Sequence, residues 1–236
     1  MLYPAVPSSL KSMGPYKKPL GVDEKLCPLL KSSMSIPVSS YSSFNAFFTR
    51  KLRPEVRPID PNPEVAMIPA DGRYLFFEEI QGDRLFSVKN QSFSLHTLLQ
   101  DPDLAKTYLG GTLVVARLAP PDYHRFHFPI TCIPGPPHPI DGPLFSVHPI
   151  ALAKHWGILA ENKRVVTSLL SEQFGKVLFI EVGATNVGTI HQTHLPNIEQ
   201  QKGVEKGYFS FGGSCILLLF AKGRFCLDAD LKKASL

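Results

Sequence analysis

Three short clusters in this chain carry groups able to do chemistry. Pro69-Ala70-Asp71-Gly72 holds a carboxylate between a rigid proline and a flexible glycine, Tyr123-His124-Arg125-Phe126-His127 carries two imidazoles, and Phe209-Ser210-Phe211-Gly212-Gly213-Ser214 ends in a hydroxyl near the carboxyl terminus. A serine hydroxyl is a weak nucleophile near neutral pH. It needs an imidazole to take its proton and a carboxylate to orient that imidazole, a set defined by geometry and not by chain order. Asp71, His127 and Ser214 can supply that set. In extended backbone, residues three apart face opposite ways, so His124 and His127 are expected to do different jobs unless a turn unites them. Gly-Gly-Ser reads either as a tight turn or as a strained peptide open to attack by its own neighbour.

Other chemistries are unwritten. The sequence has no G-x-x-x-x-G-K-[ST], no G-x-G-x-x-G after a strand, no G-x-S-x-G, no H-E-x-x-H and no nucleic-acid-binding signature. Four scattered cysteines, Cys27, Cys132, Cys215 and Cys226, form no C-x-x-C pair and read as reduced, mostly buried thiols. No metal site and no nucleic-acid partner are expected.

The elements that must position these groups read as mainly β. From Ile68 onward come short apolar runs punctuated by Gly, Pro and Asp: RYLFFEEI, RLFSV, TLVVARLA, PLFSV, RVVTSLL, KVLFIEVGAT, VGTIHQ, YFSFGG, CILLLF and RFCL. That pattern predicts one α+β domain of antiparallel sheets with a few short helices. SSFNAFFTR over Ser42 to Arg50 predicts an amphipathic helix with Phe44, Phe47 and Phe48 on one face, and SLHTLLQ over Ser94 to Gln100 predicts another. Residues 1 to 41, rich in Pro, Ser and Lys, read as an irregular arm ahead of a catalytic domain over 42 to 236.

Size and charge agree with a packed domain. The 236 residues are 44% hydrophobic, and the longest apolar run, Cys215 to Ala221, falls far short of the roughly twenty residues a bilayer-spanning helix needs. No targeting signal is legible at the amino terminus. Residues 1 to 57 carry nine Lys/Arg against three acids, whereas the rest of the chain nets −1. A basic arm beside a neutral body suits an anionic surface, each basic side chain near such a membrane contributing about 1 kcal/mol.

Taken in order, these clusters and their flanks resemble the phosphatidylserine decarboxylases, self-processing enzymes with a pyruvoyl group. The likeness covers roughly residues 42 to 228: SFNAFFTRKLRPEVRPID, PADG, PPDYHRFHFP, GPLFSVHP, NKRV, VGATNVGTI and KGVEKGYFSFGGS. The resemblance implies that Asp71 and His127 activate Ser214, whose hydroxyl attacks the carbonyl of Gly213. It further implies a zymogen that cuts itself into a β chain ending at Gly213 and an α chain, 214–236, whose former Ser214 is a pyruvoyl cofactor. That ketone takes up a substrate amine and draws off electrons as CO2 leaves, with His124 as proton donor or positioning group. The implied reaction turns phosphatidylserine into phosphatidylethanolamine. A peripheral membrane or cytoplasmic location and a homodimer of cleaved α and β chains are expected with it. Two alternatives stand beside this reading: a decarboxylase of free aromatic amino acids, and a non-processing lipid-binding homologue.

Three positions depart from the family pattern. Cys215 replaces the threonine usual after the serine, His148 stands where asparagine is common, and Lys163 stands where glutamate is common. Cys215 becomes the second residue of the implied α chain, where its polarity and volume bear on elimination and substrate fit.

Overall fold

A computed structural model describes residues 33–80, 85–88, 91–185, 189–210, 214–229 and 231, with residues 85–88 and 91–93 described by backbone alone. Most of the amino-terminal arm, Cys27 and the expected cleavage position Gly213 lie outside the described residues. The strands are β1 (Arg73–Phe77), β2 (Leu85–Val88), β3 (Gln91–Phe93), β4 (Thr112–Leu118), β5 (Arg125–His127), β6 (Ile133–Pro134), β7 (His138–Ile140), β8 (Arg164–Ser171), β9 (Gly175–Val182), β10 (Ile190–Gln192), β11 (Glu205–Phe209) and β12 (Ser214–Phe220). The helices are α1 (Phe44–Phe48), α2 (Leu95–Leu99), α3 (Pro102–Thr107), α4 (Pro149–Lys154) and α5 (Ile158–Glu161).

An antiparallel seven-stranded sheet in the order β1-β4-β12-β9-β8-β6, with β7 also on β8, forms the centre. A second sheet, β10-β11-β5, lies against it, and β2 and β3 make a hairpin. Alternation along the central strands sorts side chains into two layers. Leu113, Val115, Cys215, Leu217, Leu219, Leu178 and Ile180 pack with Leu95, Leu98, Leu99, Tyr108 and Leu159 from the helices. Val114, Ala116, Leu118, Ile216, Leu218, Val177 and Phe179 pack with Phe126, Phe128 and Phe209 from the second sheet. A strand covered on both faces reads as an unbroken apolar run, which is why Cys215 to Phe220 shows no alternation in the sequence.

Both expected helices form, each closed by its serine: Ser43 Oγ accepts from Ala46 N, and Ser94 Oγ from Thr97 N. Two expected strands do not form. Across 143–147 the backbone is held instead by side chains: Asn162 donates to Phe145 O and accepts from Phe145 N, while Arg117 Nε donates to Val147 O at 2.8 Å. RFCL lies beyond a turn closed by Arg224 N on Ala221 O, with Phe225 stacked on Phe220 at 4.2 Å.

The described cysteines are free; Cys132 and Cys215 are buried, and Cys226 is exposed. Among the described residues, no helix is long and apolar enough to cross a membrane.

Candidate active site

Ser214 opens β12, and the antiparallel register sets it opposite Leu118 at the end of β4. Beyond Leu118 the chain turns sharply: Asp122 N donates to Ala119 O at 2.9 Å, and Asp122 Oδ2 accepts from Ala119 N at 2.6 Å. This turn returns His124 over the strand end. Both His124 and Ser214 are fully buried there.

The Ser214 hydroxyl lies 3.4 Å from His124 Nδ1, and His124 Nε2 lies 3.0 Å from Ala119 O. A carbonyl only accepts, so Nε2 carries the proton and Nδ1 presents its lone pair to the hydroxyl. Burial pushes the His124 pKa down to about 3; the Ala119 carbonyl opposes this, and the Arg50 charge adds to it. The ring is therefore neutral at physiological pH, in the tautomer a base requires.

Helix α1 roofs this imidazole. Phe48, buried, stacks on the His124 ring at 3.9 Å between centroids and 22°. The neighbouring Arg50 donates to Pro121 O at 3.0 Å and Asp122 O at 3.2 Å, while Arg125 Nε donates to Thr49 O at 2.9 Å. The aromatic helix thus splits its face: Phe48 enters the core, while Phe44 is exposed.

Asp71 and His127 stand in the same corner with other partners. Gly72 sits at φ 151°, a conformation suited to glycine, and a Cβ there would meet Arg117 O at 2.6 Å. This places the PADG turn beside the end of β4, on the side opposite β12. Both Asp71 oxygens are held by Arg57, at 2.9 and 2.6 Å. His127 joins this turn through its backbone, N to Pro69 O at 2.8 Å. Its Nδ1 donates to Gly203 O at 2.9 Å, and its Nε2 faces Tyr123 Oη at 3.3 Å. Burial lowers the His127 pKa; the Gly203 carbonyl and the carboxylates of Glu205 and Asp71 oppose that shift.

The four expected residues therefore share one corner, but the imidazole that accepts from the Ser214 hydroxyl is His124. His127 makes no hydrogen bond to Ser214 or Asp71. The two histidines face opposite ways, as the three-residue spacing implies.

Sequence reasoning missed Phe48 as the ring over His124, Arg50 and Asp122 as the braces of the turn that carries it, and Arg57 as the partner of Asp71. The available signal was an arginine two residues after an aromatic pair and an aspartate closing Pro-Pro-Asp.

Two of the three departures are accommodated. Cys215 projects to the helix-covered layer, away from His124, and burial pushes its thiol up to about 12, so it stays protonated. His148 caps α4 through Nδ1, accepting from Ile150 N at 3.3 Å, the task an asparagine oxygen performs at such a position.

A family model described as phosphatidylserine decarboxylase matches residues 44–234. A Chlamydia muridarum protein named phosphatidylserine decarboxylase proenzyme is 54% identical over 195 residues, covering 83% of this chain and 65% of its own length. Proteins of the same name from Chlamydia trachomatis serovar L2 and Chlamydia pneumoniae are 48% and 51% identical, over 91% and 87% of this chain and 70% and 68% of their own lengths. The chain thus spans 65 to 70% of the length of these relatives.

Proposed function

Because this chain belongs to the phosphatidylserine decarboxylase family, we propose that it cuts itself between Gly213 and Ser214 and then converts phosphatidylserine to phosphatidylethanolamine and CO2. The observation that carries the reading is the buried Ser214 hydroxyl facing the bare Nδ1 of a neutral His124.

In the scission, Ser214 Oγ attacks the Gly213 carbonyl carbon and its proton passes to His124 Nδ1. The Gly213–Ser214 C–N bond then breaks, the nitrogen gains a proton, and an ester joins Gly213 to Ser214 Oγ. Loss of the Ser214 Cα proton expels Gly213 as a carboxylate. Water replaces nitrogen at Cα, ammonia leaves, and the α chain 214–236 begins with a pyruvoyl group. Among the described residues the fit to that group is good: the reacting side chain is buried, the imidazole it meets is uncharged, and no described carboxylate is hydrogen-bonded to it. When present, the pyruvoyl group supplies an electrophilic ketone for the substrate's primary amine and a sink for the electrons released with CO2. His124, in contact with residue 214, is the proton carrier for that position in both reactions.

A second reading assigns the base to His127 with Asp71 as its orienter, as the family resemblance implies. What favours it is the Asp71 charge acting on His127. In that case His127 must exchange Gly203 and Tyr123 for Ser214.

For access to lipid we propose peripheral contact with an anionic membrane through the basic arm, 1–41, and its following helix. Phe44 is 37% exposed there, and Phe145 and Ile150 offer further apolar contacts at 50% and 65% exposure. A homodimer of cleaved chains completes the reading.

Denaturing electrophoresis and a decarboxylation assay test it together. The expected result is two fragments and release of CO2 from phosphatidylserine in mixed micelles. Turnover of free tryptophan but not phosphatidylserine would replace the lipid substrate, and an uncut, inactive chain would end the enzyme reading.

A further inference from the structure

The scission needs the Gly213 carbonyl held against Ser214, so the chain must be fixed on both sides of the bond that breaks. Downstream, Ser214 is fixed by its place in β12. Upstream, β11 ends at Phe209, whose N–H donates to the His124 carbonyl at 3.0 Å. The next residue, Ser210, has its N–H on Thr189 O at 3.3 Å and its Oγ 2.8 Å from His191 Nε2.

His191 itself is held. It lies in β10 opposite Tyr208 of β11, and the two rings stack at 4.5 Å and 18°. The imidazole is thus aimed at Ser210, three residues ahead of Gly213 in the sequence. Neither packing of the core nor the sheet ladder requires a hydrogen bond at that point. A phenylalanine would keep the stack and lose only the polar contact.

We propose that His191 is a positioning residue for self-cleavage: through Ser210 it fixes the upstream end of the span that must deliver the Gly213 carbonyl to Ser214. This inference rests on the Ser214 scission proposed above. Among the described residues His191 contacts Ser210 and Tyr208 and not Ser214 or His124, so its effect falls on the rate of cutting and leaves the decarboxylation by mature enzyme unchanged.

The test follows scission by pulse–chase during cell-free synthesis of the full chain. His191→Phe and Ser210→Ala are each expected to slow cutting roughly five- to tenfold, the range of a single lost hydrogen bond. The double variant is expected to be no slower than either single one, because both remove one contact. His191→Gln, able to hydrogen-bond Ser210, is expected to recover part of the rate. Once cut, all variants should show wild-type kcat and KM. Wild-type cutting speed in His191→Phe, additive losses in the double variant, or a lowered kcat in the cut enzyme would each overturn the assignment while leaving the Ser214 reading intact. A wild-type chain that never cuts would remove both.

Discussion

Ser214 and His124 meet although ninety positions separate them, because β4 and β12 are neighbours and the turn after β4 folds the imidazole back over the strand end. The same histidine accepts the Phe209 N–H at its carbonyl, so the span from Phe209 to Ser214 begins and ends on one residue.

That contact separates the roles of the two histidines. His124→Ala is expected to cut at least about 100-fold more slowly than wild type, the scale of a lost general base. His127→Ala should cut faster than His124→Ala. Pulse–chase electrophoresis reads both, and the reverse order would assign the base to His127.

Phe48 shields His124 from water. Phe48→Ala removes a buried aromatic ring and is expected to destabilise the chain by about 3–5 kcal/mol in urea unfolding. Hydration of the imidazole removes the burial that holds its pKa low, so that pKa should rise. The acid limb of the cutting rate should then move to higher pH than in wild type. An unchanged acid limb would mean that His124 is not the titrating base.

Burial lowers the pKa of His124, His127 and His194 in the folded chain, so the unfolded chain binds more protons as pH falls below about 6.5. Their contribution to stability is present above that pH and is lost as pH falls toward the folded values. Asp122, pushed up by burial, works in the opposite sense where carboxyls titrate. Urea unfolding of the uncut Ser214→Ala chain should therefore show stability declining from pH 7 to pH 5. His194→Gln should make that slope shallower; an identical slope would contradict the account.

A second buried polar group joins the two sheets. Lys206 Nζ donates to Glu181 Oε1, to Thr167 Oγ1 at 3.1 Å and to Gln192 Oε1 at 2.8 Å, with both charged side chains fully buried. Removing one partner leaves a buried charge unpaired. In the Ser214→Ala background, Lys206→Met is expected to cost about 3–5 kcal/mol, and Glu181→Leu added to it should restore much of that loss. A double variant weaker than the single one would show that the network contributes more than mutual neutralisation.

The central strands were legible because both faces are covered and their apolar runs are long, and the helices because Ser43 and Ser94 cap them. The strand at Ile133–Pro134 and the one containing Pro139 were not, since prolines on short edge strands carry no strand signal. The PLFSV run misled in the other direction: its backbone is satisfied by Asn162 and Arg117, which no local pattern encodes. In the site, residue types and motif order pointed to Asp71, His124, His127 and Ser214. Which imidazole touches the serine depends on cross-strand register and on the Ala119 turn, and neither is written in local spacing.

Intact mass measurement of the purified chain tests the central claim most directly. The account predicts two polypeptides, 1–213 and 214–236, the second lighter by one ammonia than the same peptide with an amino-terminal serine. A single species at the full 26.1 kDa, or a fragment 214–236 that keeps its serine, would contradict it.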